Sequence, residues 1–128
     1  MDTDPVVIDK NFSDFNGDEK AEIMREYVLK DSLQFATNRL LIPWGDDFYF
    51  SNAHLTYESL DNIITYFNEK YDDITLLQST PSEYVDAIKA LDFDWPVRYD
   101  DMMPLADNLD DYWTGYFTSR AQAKKLDR

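Results

Sequence analysis

No cysteine occurs among the 128 residues, and there is one histidine, His54. Disulfides, a thiol nucleophile, thiolate metal sites and histidine clusters are therefore excluded, and the redox compartment stays open. The three glycines, Gly17, Gly45 and Gly115, stand far apart, which leaves no Gly-rich phosphate cradle. Basic residues are scarce as well: 12 Lys+Arg face 26 Asp+Glu, a formal charge of −14. Such a charge repels phosphate backbones and anionic lipid, so neither nucleic acid nor a membrane surface is expected as a partner. No apolar run approaches the ~20 residues of a membrane span. The start, Met1-Asp2-Thr3-Asp4-Pro5, has neither the basic nor the apolar region of a signal peptide, so no targeting signal is read in the chain.

What the chain does have is apolar material, 44% hydrophobic and 16% aromatic, enough for a packed core and unlike a disordered sequence. Its length suits one domain and falls short of a complete TIM barrel at about 250 residues.

Residues 1–17 hold Pro5, the apolar run Val6-Val7-Ile8 and the turn-forming Asn16-Gly17, and read as an irregular opening segment. Within it, Asn11-Phe12-Ser13 fits the N-glycosylation acceptor pattern, which also arises by chance. From Asp18 to about Phe35, Ala21, Met24, Tyr27, Val28 and Phe35 recur at steps near three and four and predict a helix. Arg39 to Pro43 is apolar and proline-bounded, the pattern of a short buried strand. A second helix is expected over Glu58 to Tyr71, with Leu60, Ile63, Ile64 and Phe67 inward and Thr56 as a candidate cap. Ile74 to Gln78 reads as the second strand. Thr80-Pro81-Ser82-Glu83 is a strong helix start, because the Thr hydroxyl can take an orphan N–H, Pro suits the first helical position and Glu can reach back; that helix runs to about Leu91. Trp95 to Tyr99 is a weaker third strand, and Asp110 to Arg128 is expected to be mostly helical despite Gly115.

The order αβαβαβα, without internal repeat or low-complexity linker, predicts an α/β fold in which right-handed crossovers join parallel strands. Ligand-facing chemistry then gathers beyond the carboxyl ends of the strands, at Trp44 to Asp47, Ser79-Thr80 and Asp100-Asp101. Asp46-Asp47 and Asp100-Asp101 could serve as acid/base groups, sugar-hydroxyl acceptors or metal ligands. Against this, twenty aspartates guarantee adjacent pairs, and Asp72-Asp73 and Asp110-Asp111 are two more. Asp14 to Asp18 fails the spacing of an EF-hand loop. His54 has no second histidine with which to share a metal, and reads as a surface residue. Trp95 and Trp113 are expected in the core, whereas Trp44 is open between core packing and stacking on a sugar ring.

Leu41-Ile42-Pro43-Trp44-Gly45-Asp46-Asp47-Phe48, preceded by Ala36-Thr37-Asn38-Arg39, resembles a segment of the glycoside hydrolase family 38 α-mannosidases, R-T-N, an apolar stretch, then G-[DS]-D-F. Further likenesses lie at Ser79 to Tyr84, at Asp100 to Asp107 and at Tyr112 to Arg120, the last fitting W-[TS]-G-Y-[FY]-[TS]-S-R. Order and spacing agree across nearly the whole chain. Asn52-Ala53 with Leu60 to Ile64, and Pro5-Val6-Val7 with Asp14 to Asn16, resemble the lysosomal branch.

The resemblance implies that residues 1–128 are an internal part of an irregular (β/α) barrel, the N-terminal catalytic domain of a zinc-dependent retaining exo-α-mannosidase. Its substrate would be terminal α-mannose on glycoprotein oligosaccharides, in the lysosome or secretory pathway. Retention calls for a nucleophilic carboxylate and an acid/base carboxyl. The nucleophile and the zinc-binding positions have no match here, so the chain is expected to begin after the nucleophile, to bind no metal by itself, to be inactive alone and to have the remainder of the catalytic domain as its partner. The general acid maps onto Asp101, followed by Met102-Met103 where aromatics are usual. Asp47 maps onto the shared aspartate of G-[DS]-D-F, a supporting substrate-side position. Ala121 replaces a usual Pro, a change expected to affect loop stiffness. The alternative is a stand-alone acidic α/β interaction domain without activity.

Overall fold

The computed structural model describes residues 5–128, so the first four positions of the opening segment lie outside the described residues. Two compact units divide the chain, one ending at Phe93 and the other spanning Asp94–Arg128.

The first unit is built on three helices, α1 (Gly17–Ser32), α2 (Ala53–Lys70) and α3 (Pro81–Lys89). Asp18 and Glu19 sit in the first turn of α1 and Lys30 in the last, matching the helix dipole at both ends. Gly17 starts α1 because the chain passes close to α2 there: a Cβ would meet the Phe15 ring at 3.0 Å and the Tyr66 ring at 3.3 Å. The core lies between the first two helices and the opening segment, where Val6, Ala21, Ile63 and Phe67 are buried, with Met24, Leu60, Tyr71, Ile74 and Leu76 packed around them. Its α2 residues are part of the stripe expected from spacing.

Helix α1 ends at Ser32, short of the expected Phe35, as Leu33 and Gln34 turn their N–H groups onto Lys30 and Asp31 carbonyls. Helix α2 begins five residues earlier than expected. Thr56 is thus inside it, where its hydroxyl donates to the Tyr49 carbonyl at 2.9 Å instead of capping. Helix α3 starts as read: the Glu83 N–H donates to Thr80 Oγ1 at 3.3 Å and the Thr80 N–H to the Glu83 carboxylate at 2.8 Å, with Pro81 in the first turn. The opening segment is irregular but anchored. Asn16 accepts from the Val7 N–H at 2.8 Å and donates to the Pro5 carbonyl at 2.9 Å, while Asn62 of α2 donates to the Val6 carbonyl at 2.9 Å.

Charged side chains add a second tie between α1 and the end of α2. Arg25 forms a two-pronged pair with Asp73 at 2.7 and 2.8 Å and lies 4.7 Å from the centre of the Tyr71 ring. Asp18 accepts from Lys70 at 2.8 Å and from the Tyr66 hydroxyl at 3.0 Å. These pairs face water, where screening limits their worth, so the apolar contacts dominate.

Among the described residues, the segments 39–43, 74–78 and 95–99 are not paired into a sheet. A parallel strand needs a lateral neighbour for its backbone groups. For Leu76 the Asn68 carboxamide fills that role, donating to the carbonyl at 2.9 Å and accepting from the N–H at 2.8 Å. The pairing present is an antiparallel hairpin in the second unit, β1 (Ala106–Asn108) with β2 (Asp111–Tyr112), matching Ala106 to Tyr112 and Asn108 to Asp111. The stretch expected to be mostly helical from Asp110 is helical only in α4 (Ala121–Asp127). Gly115 at φ +75° and Arg120 at φ +52° explain the difference, since left-handed residues interrupt a right-handed helix.

Candidate functional site

The two aspartate pairs share a local design. At the first, Gly45 has φ +138°, and a Cβ there would fall 2.8 Å from the Phe50 ring, so both backbone and space require glycine. The chain then turns tightly: Tyr49 N–H donates to the Asp46 carbonyl at 3.1 Å and Ser51 N–H to the Phe48 carbonyl at 2.9 Å. The Asp46 carboxylate is used inside this turn, accepting the Asp47 N–H at 2.8 Å. Asp47 is exposed. Phe48, directly after it, has φ +59°, a costly conformation for a bulky side chain and one that tends to persist where function requires it.

At the second pair, Arg98 grips Asp100 through two nitrogens, Nε at 2.9 Å and a terminal nitrogen at 2.5 Å. That guanidinium bond holds the Asp100 carboxyl below its usual range and raises Arg98 in turn. Asp101 is exposed beside it. In each pair the first aspartate is engaged by its own surroundings, and all four residues lie at the surface. Asp47 belongs to the first unit and Asp101 to the second.

The other candidates fall differently. His54 is exposed near the start of α2. Asp18 belongs to the pairing with Lys70 and Tyr66 rather than to an ion-binding loop. Trp95 and Trp113, expected in the core, are 38% and 49% exposed. Trp113 packs edge-on to Tyr116 at 5.8 Å, and Tyr116 stacks on Phe117 at 4.1 Å, so the Trp-Thr-Gly-Tyr-Phe block forms an aromatic ladder open to solvent. Among the described residues, no three His, Asp or Glu side chains converge to hold a metal ion.

One feature of the first unit had no signal in the residue spacing. A cavity of about 920 Å³ is lined by Ile8, Ile23, Tyr27, Ile42, Trp44 and Leu55 among others. The Trp44 indole nitrogen is buried there without a hydrogen-bond partner. Ile23 and Tyr27 stand one helical turn apart on α1; Tyr27, expected on the core-facing stripe, is half-exposed and lines this cavity instead.

Residues 5–108 match the glycosyl hydrolases family 38 N-terminal domain, a span that includes Asp47 and Asp101. The chain belongs to glycosyl hydrolase family 38. It is similar to the lysosomal alpha-mannosidase of Dictyostelium discoideum, 42% identical over 123 residues that make up 94% of this chain and 12% of that protein. The lysosomal alpha-mannosidase of Homo sapiens is 30% identical over 127 residues, covering 97% of this chain and 13% of its own. An alpha-mannosidase of Arabidopsis thaliana is 36% identical over 124 residues, 97% of this chain and 12% of its own. This family 38 chain thus spans about an eighth of the length of these curated relatives.

Proposed function

We propose that this chain forms part of the catalytic domain of a retaining exo-α-mannosidase that removes terminal α-mannose from glycoprotein oligosaccharides, and that Asp101 is its general acid and base. The observation that carries the proposal is the family 38 match over residues 5–108, a span that contains Asp101, exposed beside an Asp100 that Arg98 engages. With Asp100 held by Arg98, the charge beside Asp101 is partly neutralised. In the first half-reaction Asp101 delivers its proton to the glycosidic oxygen as the C1–O bond breaks and a carboxylate from the rest of the enzyme bonds to C1. In the second half-reaction Asp101 takes a proton from the water that displaces that carboxylate. Asp47 lies at the substrate side and accepts hydrogen bonds from sugar hydroxyls. Zinc, when bound, would be held by residues of the remaining enzyme and would fix mannose hydroxyls.

The parallel (β/α) barrel completes the picture by supplying strand partners for segments 39–43, 74–78 and 95–99. The exposed aromatic ladder and the cavity at Trp44 are surfaces for that remainder to cover. The lysosome or secretory pathway is the corresponding location, and among the described residues no helix is long and apolar enough to cross a membrane.

The test is Asp101→Asn in the intact enzyme. Hydrolysis of a natural mannoside, whose leaving group needs the proton, should fall by about 10² to 10⁴, with a smaller loss on an activated aryl mannoside. Equal retention of both activities would overturn the assignment. The 128-residue chain alone, given zinc and an aryl α-mannoside, should show no turnover.

A further inference from the structure

We propose that Asn11 carries an N-linked oligosaccharide, an inference that rests on the secretory route suggested above. Asn11-Phe12-Ser13 is the one N-x-S/T triplet in the chain, and its middle residue is not proline. A triplet that occurs by chance is as easily placed in a helix or against the core. This one lies in the turn leading to α1, with Asn11 and Ser13 both exposed. The turn is closed without using up the acceptor nitrogen. Phe12 N–H donates to the Asp9 carbonyl at 3.2 Å, and Phe15 N–H to the Phe12 carbonyl at 3.2 Å. Asp9 Oδ1 accepts both the Asn11 backbone N–H at 2.9 Å and Asn11 Nδ2 at 2.8 Å.

An amide nitrogen has two hydrogens. Glycosylation replaces one of them and leaves the other for the bond to Asp9. The donor is a lipid-diphosphate-linked oligosaccharide used by the lumenal transferase. Asn11 Nδ2 bonds to the sugar C1, the C1–O bond to phosphate breaks, the lipid diphosphate leaves with the electron pair, and the displaced amide proton passes to a base of the transferase. A neutral, highly solvated sugar at this turn also suits a chain whose exposed apolar residues are many.

The 128-residue chain, expressed in eukaryotic cells behind a cleavable signal sequence, tests this. A single-step mobility shift is expected on digestion with a glycan-releasing amidase, with Asn11 recovered as Asp in the peptide. Asn11→Gln and Ser13→Ala should each abolish the shift, and Ser13→Thr should retain it. Because the transfer acts on the nascent chain, none of these readouts depends on the variant folding. Lumenal wild-type chain unmodified at Asn11 would overturn the site itself. Modification of the signal-directed chain, together with an unmodified Asn11 in the intact enzyme from its own cells, would overturn the secretory route and with it the native modification.

Discussion

Replacing Phe67 by alanine tests where the stability of the first unit resides. Phe67 is fully buried and its ring lies 4.9 Å from that of Tyr71. A buried aromatic side chain removes roughly 150–250 Å² from water, about 4–6 kcal/mol at ~25 cal/mol per Å², an upper bound because the unfolded chain already hides part of that area. Measured Phe→Ala costs in cores run about 3–5 kcal/mol. The lower end applies here, since Tyr71, Ile74 and Leu76 are only partly buried and can sag into the space. A loss of about 3 kcal/mol corresponds to roughly a hundredfold rise in opening at ~1.4 kcal/mol per decade. Amide hydrogen exchange in α1 and α2 should therefore accelerate about a hundredfold in the Phe67→Ala chain. Leu77→Ala, in the same unit but 75% exposed, should stay within about 0.5 kcal/mol. Acceleration below about threefold at Phe67, or equal effects of the two changes, would show that burial between α1 and α2 is not what holds the unit.

Thr80→Ala removes the hydroxyl that takes the Glu83 N–H, and should destabilise α3 by about 1 kcal/mol, read as faster exchange of its first-turn amides and recovered by Thr80→Ser. Acid should loosen the first unit through Asp18 and Asp73, whose carboxyls are held below the usual 3.8 chiefly by hydrogen bonds from Lys70 and Arg25. Their folded pKa values lie under the unfolded ones, so their contribution is complete above about pH 4 and is lost as pH falls through the depressed values, which denaturant titrations between pH 5 and pH 2 would follow and Asp73→Asn would flatten. Trp113→Ala should change the stability of the isolated chain by about 0.5–1.5 kcal/mol, the worth of its ring contact with Tyr116, yet cost about 3–5 kcal/mol in the intact enzyme if the remaining domain covers the ladder.

Helices were legible because their causes are local. The α2 stripe of Ile63 and Phe67 and the Thr80/Glu83 box each lie within a few residues, so spacing and side-chain chemistry suffice. The bounds of α1 and α2 were less so, as nothing in the spacing distinguishes Asn52 from Thr56 as the starting point. Strands depend on neighbours that spacing does not name. Leu76 illustrates the point, since its backbone groups are satisfied by the Asn68 side chain eight residues away, a substitution that an apolar run cannot announce. The hairpin at Ala106–Tyr112 was missed because Asn-Leu-Asp-Asp carries a turn only through the left-handed Asp110, φ +60°.

The site was legible to a different depth. Adjacent aspartates are cheap in a chain this acidic, so pairing alone could not separate Asp47 and Asp101 from Asp72-Asp73 or Asp110-Asp111. Motif order pointed to the former two, and local bonding distinguishes members within each pair: Arg98 engages Asp100 and the Asp47 N–H engages Asp46, although all four residues are exposed. Charge balance gives this arrangement a consequence. Arg98→Leu would remove the cation that holds the Asp100 carboxyl below its usual range, so that carboxyl should titrate higher, which a side-chain NMR titration of the chain would read. An Asp100 titration unmoved by the change would show that the guanidinium bond is not what sets the first member of this pair apart from the second.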